Sequence, residues 1–453
     1  MEQLTPQIIA GITGGQYIGD EALKNSRVTG AARDNRDVRP GNLFVCIRGA
    51  RVDGHSFANS AFEAGASCCL AEHGIPYAKG PYVLVDSTLA ALRTIGGYYR
   101  RLLGIPVIGV TGSVGKTTAK EMIACVLGQK FSVLKTPENL NNEIGVPLTL
   151  LSIEGNHEAA VIEMGVSDFG EMSRLAEMVR PDISVITKIG YSHLEALGDL
   201  NGVLRAKTEI YGFMAPNATA IVNGDDELLW RYNPGIRRLT YGLDRRNDFY
   251  AENISAQGTS AVTFDIVSGA GRLPAKIPAF GSHLASAALP AAAIGRLLGL
   301  TDEEISRGLL AYAPVGGRAS VTDTGFVTLI DDCYNANPNS VKEALRSLSA
   351  LPGRRVAILG DMKELGRESD GLHREVGVFA ARSEIDTLIC CGDLAALIHE
   401  GFKSVGGKNA LYFPQKPELI AALQGLLEKG DKVLVKASHS MRFEEISESL
   451  KTL

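Results

Sequence analysis

Ile105-Pro106-Val107-Ile108-Gly109-Val110-Thr111-Gly112-Ser113-Val114-Gly115-Lys116-Thr117-Thr118 is the stretch on which the reading of this chain turns. Val107 to Val110 is a β-branched run of the kind that forms a buried parallel strand. Met122, Ile123, Val126 and Leu127 then resume the apolar pattern at helical spacing. A strand, a glycine-bearing turn ending in Lys-Thr and a helix together cradle a nucleotide's phosphates, because the turn's N–H groups and the helix N-terminus face the anion. Lys116 adds a point charge and the Thr117 hydroxyl can reach Mg²⁺. Thr111, Gly112, Ser113, Val114, Gly115, Lys116, Thr117 and Thr118 are therefore the expected nucleotide cradle. The longer form of such loops has a further glycine where Val110 stands, so the match is to the shorter Gly-x-x-Gly-Lys-Thr.

Outward from this loop, strands and helices alternate, the pattern of a mostly parallel sheet covered on both faces. Phe131 to Leu134 is strand-like, and the polar loop Thr136 to Gly145, with Asn141 and Asn142, opens a helix. Ala159 to Gly165 is a second buried strand ending on Glu163. Ligands in such sheets bind beyond the carboxyl ends of the strands, which sets Glu163 beside the phosphate loop, where a carboxylate can hold Mg²⁺. A third strand, Ile183 to Thr187, leads to His193 at the same edge, where an imidazole can serve a second metal or a phosphoryl oxygen. Lys207, on a helical stretch, reads on its own as an exposed lysine. Beyond Asn223-Gly224-Asp225-Asp226 the pattern loosens into short, turn-rich, strand-like pieces from about Thr240 to Pro278. Helices are expected over Leu284 to Leu298 and near Asp302 to Ala311. Pro314, Gly316 and Gly317 read as a linker, with Arg318 just after it.

The last segment repeats the strand and helix rhythm without a phosphate loop. Strands are expected at Val327–Ile330, Arg355–Gly360, Thr387–Gly392 and Lys432–Lys436, with Ser340 capping the helix after Asp331-Asp332-Cys333-Tyr334-Asn335-Ala336-Asn337-Pro338. It lacks the Gly-x-Gly-x-x-Gly that would argue for NAD. The first hundred residues carry a dense charged run from Asp34 to Gly49, then a loop, Val52 to Phe57, leading into a helix from about Ser56 to Ala64. Read alone, that run is a solvated corner and His55 a satisfied histidine.

Composition narrows the class. With 453 residues, 45% hydrophobic and 21% charged, the chain is expected to be a multidomain globular protein. A formal charge of -5 argues against a binder of nucleic acid that relies on phosphate contacts. Seven cysteines without a C-x-x-C spacing fit thiols in a reducing cytoplasm better than a disulfide frame or a zinc site. Met1 to Gly15 has neither the basic start nor the apolar core of a signal peptide. Leu284 to Gly295, the most apolar stretch, contains Pro290 and is too short to span a bilayer. The expectation is a cytoplasmic, monomeric enzyme with small-molecule partners.

The motifs together resemble the Mur ligase family, and four stretches carry the likeness: Asp34 to Phe57, Thr111 to Thr118, Asn139 to Pro147, and Asp331 to Ser340 with Gly360 to Gly366. The resemblance implies three α/β domains. Residues 1–102 would hold a UDP-N-acetylmuramoyl-peptide, 103–313 form the central ATP-binding domain with its mostly parallel sheet, and 314–453 form a Rossmann-like ligase domain. It implies ATP-driven amide formation through an acyl phosphate. The last stretch points to the family member that joins D-alanyl-D-alanine to UDP-N-acetylmuramoyl-tripeptide, with a sister ligase or folylpolyglutamate synthetase as the alternative. A nucleotide-dependent switch is the other class, disfavoured by the absence of Asn-Lys-x-Asp.

By family position, Lys116, His193 and Lys207 would be catalytic, and Thr117, Glu163, His193 and Lys207 would surround Mg²⁺, Lys207 as a carbamate. Arg318 and Asp331 would lie near the nucleotide. Asn35, Arg36, Asp53, His55, Asn141, Asn142, Asn335, Asn337, Lys436 and Ser438 would contact substrates. The chain departs from the family pattern at Asn35, where Ser or Thr is usual, at Leu284 and Ala287, where two asparagines are usual, and at His439, where arginine is common.

Overall fold

The computed structural model describes residues 4–49 and 52–453; Met1 to Gln3, and Ala50 and Arg51 within the Asp34 to Phe57 stretch, lie outside the described residues. Three sheets follow one another along the chain, giving the expected α/β architecture of three domains. In the first, five strands run in the order Gln16–Ile18, Tyr82–Leu84, Cys68–Ala71, Asn42–Val45, Gly30–Ala32. Gln16–Ile18 is antiparallel to its neighbour and the others are parallel.

The central sheet has nine strands. Val107–Thr111 lies between Ile183–Ile186 and Ala159–Glu163, all three parallel, so the phosphate loop, Glu163 and the segment leading to His193 emerge at one edge. Val107, Ile108 and Val110 are completely buried, each worth roughly 1.5–3 kcal/mol relative to exposure. Val110 is therefore core, which explains why the loop begins one residue later with Thr111. The helix Lys116–Leu127 covers this strand and is covered in turn by Leu284–Leu297, which carries Pro290 inside it.

One expectation changes here. The stretch from Thr240 to Pro278 is regular, not loose: Phe249–Gln257, Ala261–Ser268 and Gly271–Ile277 form an antiparallel meander extending the parallel sheet. Leu273, Ala275 and Ile277 alternate inward against outward Arg272, Pro274 and Lys276, the period of a strand with one solvated face.

The third sheet has the order Ser320–Asp323, Thr328–Asp331, Lys432–Lys436, Arg355–Gly360, Thr387–Cys391, Ala410–Phe413, with only the first strand antiparallel. Its two edge strands, Ser320–Asp323 and Ala410–Phe413, were not expected. Asn337, and not Ser340, is the N-cap of the helix Pro338–Ser349; Ser340 stands three residues on and returns the bond to the Asn337 N–H.

The first two domains are packed tightly at their seam. The helix Thr88–Leu102 rests on helices Gly145–Leu150 and Glu171–Val179. Arg100, nearly buried, donates to the carbonyls of Val179 and Arg180 at 2.8 and 3.1 Å and to Asp182 at 2.9 Å. The Tyr99 hydroxyl donates to the Ile153 carbonyl at 2.6 Å. No helix among the described residues is long and apolar enough to cross a membrane.

Candidate active site

The phosphate loop has the geometry its sequence calls for. Gly115, at φ 82°, starts the helix Lys116–Leu127 without any side-chain cap, so the first-turn N–H donors are left for an anion. Gly112 has φ 146°, and a Cβ there would fall 1.9 Å from Thr187 Oγ1, so only glycine fits. That Thr187 hydroxyl donates to the Val114 carbonyl at 2.5 Å. Ser113 spends its hydroxyl on the backbone of Gly190. Ser113 to Thr118 line a cavity of about 920 Å³, whereas Thr111 and Gly112 lie behind it. The Thr111 hydroxyl is buried with no hydrogen-bond partner among the described residues.

Glu163 ends its strand beside this loop and is almost fully buried. Its Oε2 accepts the Thr117 hydroxyl at 2.9 Å and its Oε1 accepts the Asn141 amide at 2.8 Å. Buried Lys120 places Nζ 3.6 Å from the same carboxylate while donating to the Thr136 carbonyl at 2.8 Å. A hydroxyl and a carboxylate side by side are oxygen donors of the kind a hard cation such as Mg²⁺ takes, so the donor set fits that ion. Asn142 lines the same cavity, and its Oδ1 accepts the N–H groups of Ile144 and Gly145.

Lys116, Lys207 and His193 lie close enough for their charges to interact, and of the three Lys116 and His193 line the cavity. Lys116 donates to the Gly112 carbonyl at 2.8 Å; burial pulls its ammonium below the usual lysine range, Glu163 pulls it up, and Arg318 adds to the fall. Lys207 is 1% exposed, not a surface lysine. It makes no ion pair among the described residues, and burial, with the Lys116 charge second, holds it well below its ordinary value. Burial thus favours the neutral amine, the form from which a carbamate is made. His193 lines the cavity with Nδ1 2.6 Å from Glu364 Oε2. Burial lowers its pKa, as do Lys207 and Lys116, against the opposing pull of Glu364.

The third domain closes the cavity. Arg318 lies over the Tyr334 ring at 3.7 Å, and His439 meets the same ring at 5.5 Å between centroids. Lys436, almost fully buried, pairs with Asp332 at 2.6 Å and donates to the Asn335 carbonyl at 2.9 Å. Arg318, Asp332, Asn335, Asn337 and Lys436 all line the cavity. Two further expected residues stand outside the cavity. Asp331 does not line it, because successive side chains of a strand point to opposite faces: its Oδ1 accepts the Cys333 N–H and its charge reaches Lys451 on the far-side helix. Asp332 holds the cleft position instead. Ser438 is also outside the cavity; its hydroxyl accepts the Lys363 N–H at 2.9 Å.

Asn35, Arg36, Asp53 and His55 do not join this cavity either, to which the first domain contributes Leu89. They lie after the carboxyl ends of Gly30–Ala32 and Asn42–Val45. Arg36 is paired with Asp34, holding that carboxyl down at about 2. His55 Nδ1 lies 2.6 Å from Asp53 Oδ1 and its Nε2 accepts the Glu72 N–H at 2.8 Å, which puts the ring proton on Nδ1. His73 stacks on that ring at 4.0 Å. Asp53, His55 and His73 have donor atoms within 4.8 Å of one another, but both His55 nitrogens are already bonded, so the trio is a closed hydrogen-bonded group.

The sequence reading missed His283, Tyr312 and Glu343, which also line the cavity. His283 Nδ1 is buried without a hydrogen-bond partner among the described residues, and burial pushes its pKa down. The tripeptide Gly281-Ser282-His283 ahead of an alanine-rich helix was the available signal. Leu284 and Ala287 from that helix give the same wall an apolar surface.

Known proteins share this arrangement. Residues 27–100 match the Mur ligase family catalytic domain, 110–295 the Mur ligase middle domain, and 317–439 the Mur ligase glutamate ligase domain. The UDP-N-acetylmuramoyl-tripeptide--D-alanyl-D-alanine ligase of Bacillus subtilis (strain 168) is 38% identical over 93% of this chain and 93% of its own. The crystal structure of MurF from Acinetobacter baumannii superposes with a TM-score of 0.89 at 28% identity, covering 99% of each chain. That of MurF ligase from Thermotoga maritima in complex with ADP gives 0.84 at 28% identity, covering 96% of this chain and 98% of that one.

Proposed function

The chain belongs to the Mur ligase family, and we propose that it joins D-alanyl-D-alanine to UDP-N-acetylmuramoyl-tripeptide, an ATP-driven step in peptidoglycan precursor synthesis. The observation that carries this reading is one cavity walled both by the phosphate loop and by the loops of the third domain, in a chain similar over its whole length to ligases of that name.

The chemistry has two stages. A carboxylate oxygen of the tripeptide attacks the γ-phosphorus of ATP, the bond to the β,γ-bridging oxygen breaks, and ADP leaves. The dipeptide's amino group, having lost a proton, then attacks the acyl-phosphate carbon, and inorganic phosphate leaves as the amide forms. Bringing two anions together is the main electrostatic obstacle, so cationic groups must lie where that charge accumulates. Lys116 and the uncapped helix start serve the phosphates, and Arg318 reaches the nucleotide from the third domain. Thr117 and Glu163 would hold Mg²⁺, which when bound neutralises phosphate charge; His193 and a carbamylated Lys207 would serve a second ion. Lys436, tethered by Asp332, and Asn335 and Asn337 face the substrates.

Residues 1–102, 103–313 and 314–453 are the proposed domains. The first holds the uridine nucleotide near Asn35, Arg36, Asp53 and His55, at the carboxyl ends of its parallel strands. We take the working form as a cytoplasmic monomer.

Incubating the protein with Mg²⁺-ATP, UDP-N-acetylmuramoyl-tripeptide and D-alanyl-D-alanine tests the reading. Phosphate release and ligated product should both depend on the dipeptide, and Lys116→Ala should lose roughly 10²-fold or more of turnover, the scale for deleting a group that stabilises transition-state charge. Turnover with a single amino acid and none with the dipeptide would sink the assignment.

A further inference from the structure

The third domain meets the central one along a seam where their apolar cores join and a few polar contacts are made. Glu364, in the loop after the strand Arg355–Gly360, brings Oε2 to 2.6 Å from His193 Nδ1. Two residues further, Gly366 at φ 56° lies against the backbone of Glu195, where a Cβ would stand 3.2 Å from both N and Cα. Asn339 Oδ1 accepts the Tyr191 N–H at 3.4 Å. Both partners in the central contact are strained: His193 has φ 53° and Glu364 φ 64°, left-handed conformations uncommon outside glycine. Strain held on both sides of one contact is characteristic of a working site, because the surroundings must over-determine it.

The contact bears on the imidazole. Glu364 approaches Nδ1 at ion-pair distance and a carboxylate accepts only, so in the neutral ring the proton belongs on Nδ1, which leaves Nε2 as an acceptor without a partner among the described residues, on a side chain that lines the cavity. Histidines that ligate metals almost always donate their other ring N–H to a carboxylate or carbonyl in this way, which fixes tautomer and ring orientation. Here the carboxylate belongs to a different domain from the histidine.

We infer that Glu364 is a positioning residue: docking of the third domain brings its carboxylate to His193, locks that ring with Nδ1 protonated and presents Nε2 to the reacting phosphate and its Mg²⁺. The histidine is then competent only when the domain carrying the amine-side loops is in place, which couples assembly of the ATP site to closure. This rests on the ligase reading above.

The test compares wild type with Glu364→Ala and Glu364→Gln. Glu364 is 58% exposed, so neither substitution disturbs the core. Two readouts are needed. Ring-¹⁵N spectra of the metal-free, full-length protein, with the signal assigned by loss in His193→Gln, should give His193 as the Nδ1–H tautomer in wild type and a mixture in Glu364→Ala. Turnover against Mg²⁺ should show the half-saturating concentration raised roughly tenfold or more in Glu364→Ala, the usual cost of losing such a partner. Glu364→Gln, whose amide oxygen still accepts, should fall between. An unchanged tautomer together with an unchanged Mg²⁺ requirement overturns the inference. A wild type that does not ligate the dipeptide overturns the ligase reading instead, and the spectra still decide the role of Glu364.

Discussion

His373 shows how one side chain far from the phosphates can govern the loop that reaches them. It is fully buried on the helix Ser369–Arg382, with Nε2 accepting the Met362 N–H at 3.0 Å and Nδ1 donating to the Ser369 carbonyl at 2.7 Å. Both nitrogens are satisfied only in the neutral ring, and burial, chiefly, lowers its pKa. A base whose folded pKa is lowered binds fewer protons folded than unfolded. Its contribution is therefore complete above the unfolded value of about 6.5 and is lost as pH falls below it, with a slope of at most about 1.4 kcal/mol per pH unit. Urea midpoints should drop between pH 7.5 and 5.5, and His373→Gln should flatten that drop. An equal drop in the variant would assign the pH response to other groups. Residue by residue, the phosphate loop and Glu163 were legible because strand, turn and helix fix their neighbours along the chain. That Asp332 and not Asp331 lines the cavity was not legible, because a one-residue shift in a strand reverses the face and a sequence with two adjacent aspartates carries no mark of the register.

At the scale of elements, the helix Pro338–Ser349 begins inside the cavity, and its cap is an asparagine expected to bind substrate. Asn337 Oδ1 accepts the Ser340 N–H at 2.9 Å. Asn337→Ala should cost about 1 kcal/mol of stability, the usual value of such a cap. Thermal unfolding with and without ADP would check it: a loss in the free protein that persists with ADP marks a cap, whereas a loss seen only with ligands marks a contact. Most elements of the central and third domains were readable from periodicity, since buried parallel strands are unbroken apolar runs. The meander from Phe249 to Ile277 was readable only as short strand-like pieces, because the register shifts around Asn253 in the first strand and Gly258 and Gly269 break the run at the turns. The edge strands Ser320–Asp323 and Ala410–Phe413 are short and partly solvated, and pairing partners distant in sequence decide them.

At the scale of the whole molecule, the two seams differ in kind. Between the first and central domains lie Arg100 on three oxygens, Tyr99 on Ile153, and a Glu143 carboxylate shared by Arg93 and Arg174. Between the central and third domains, polar contacts at Tyr191, His193 and Glu195 lie beside an apolar cluster that includes Leu194, Met362 and Leu365, and the chain crosses through Pro314 to Ala319, where Gly317 and Ala319 both take positive φ. Limited proteolysis should therefore cut first within 314–319 and leave residues before it as one resistant fragment. Mass spectrometry that instead found an early cut near 102 would contradict the rigid pairing. The resemblance foretold three domains, but which seam is firm depends on Arg100, whose partners lie about eighty residues away.

The firmness of that first seam bears on portability. Transplanting everything after Arg318 from a relative must recreate the contacts around Leu194 and His193, whereas transplanting the first hundred residues must rebuild a buried guanidinium socket. The segment after Arg318 is thus the more exchangeable one, and chimaeras that replace it should fold more readily than those that replace the first hundred residues.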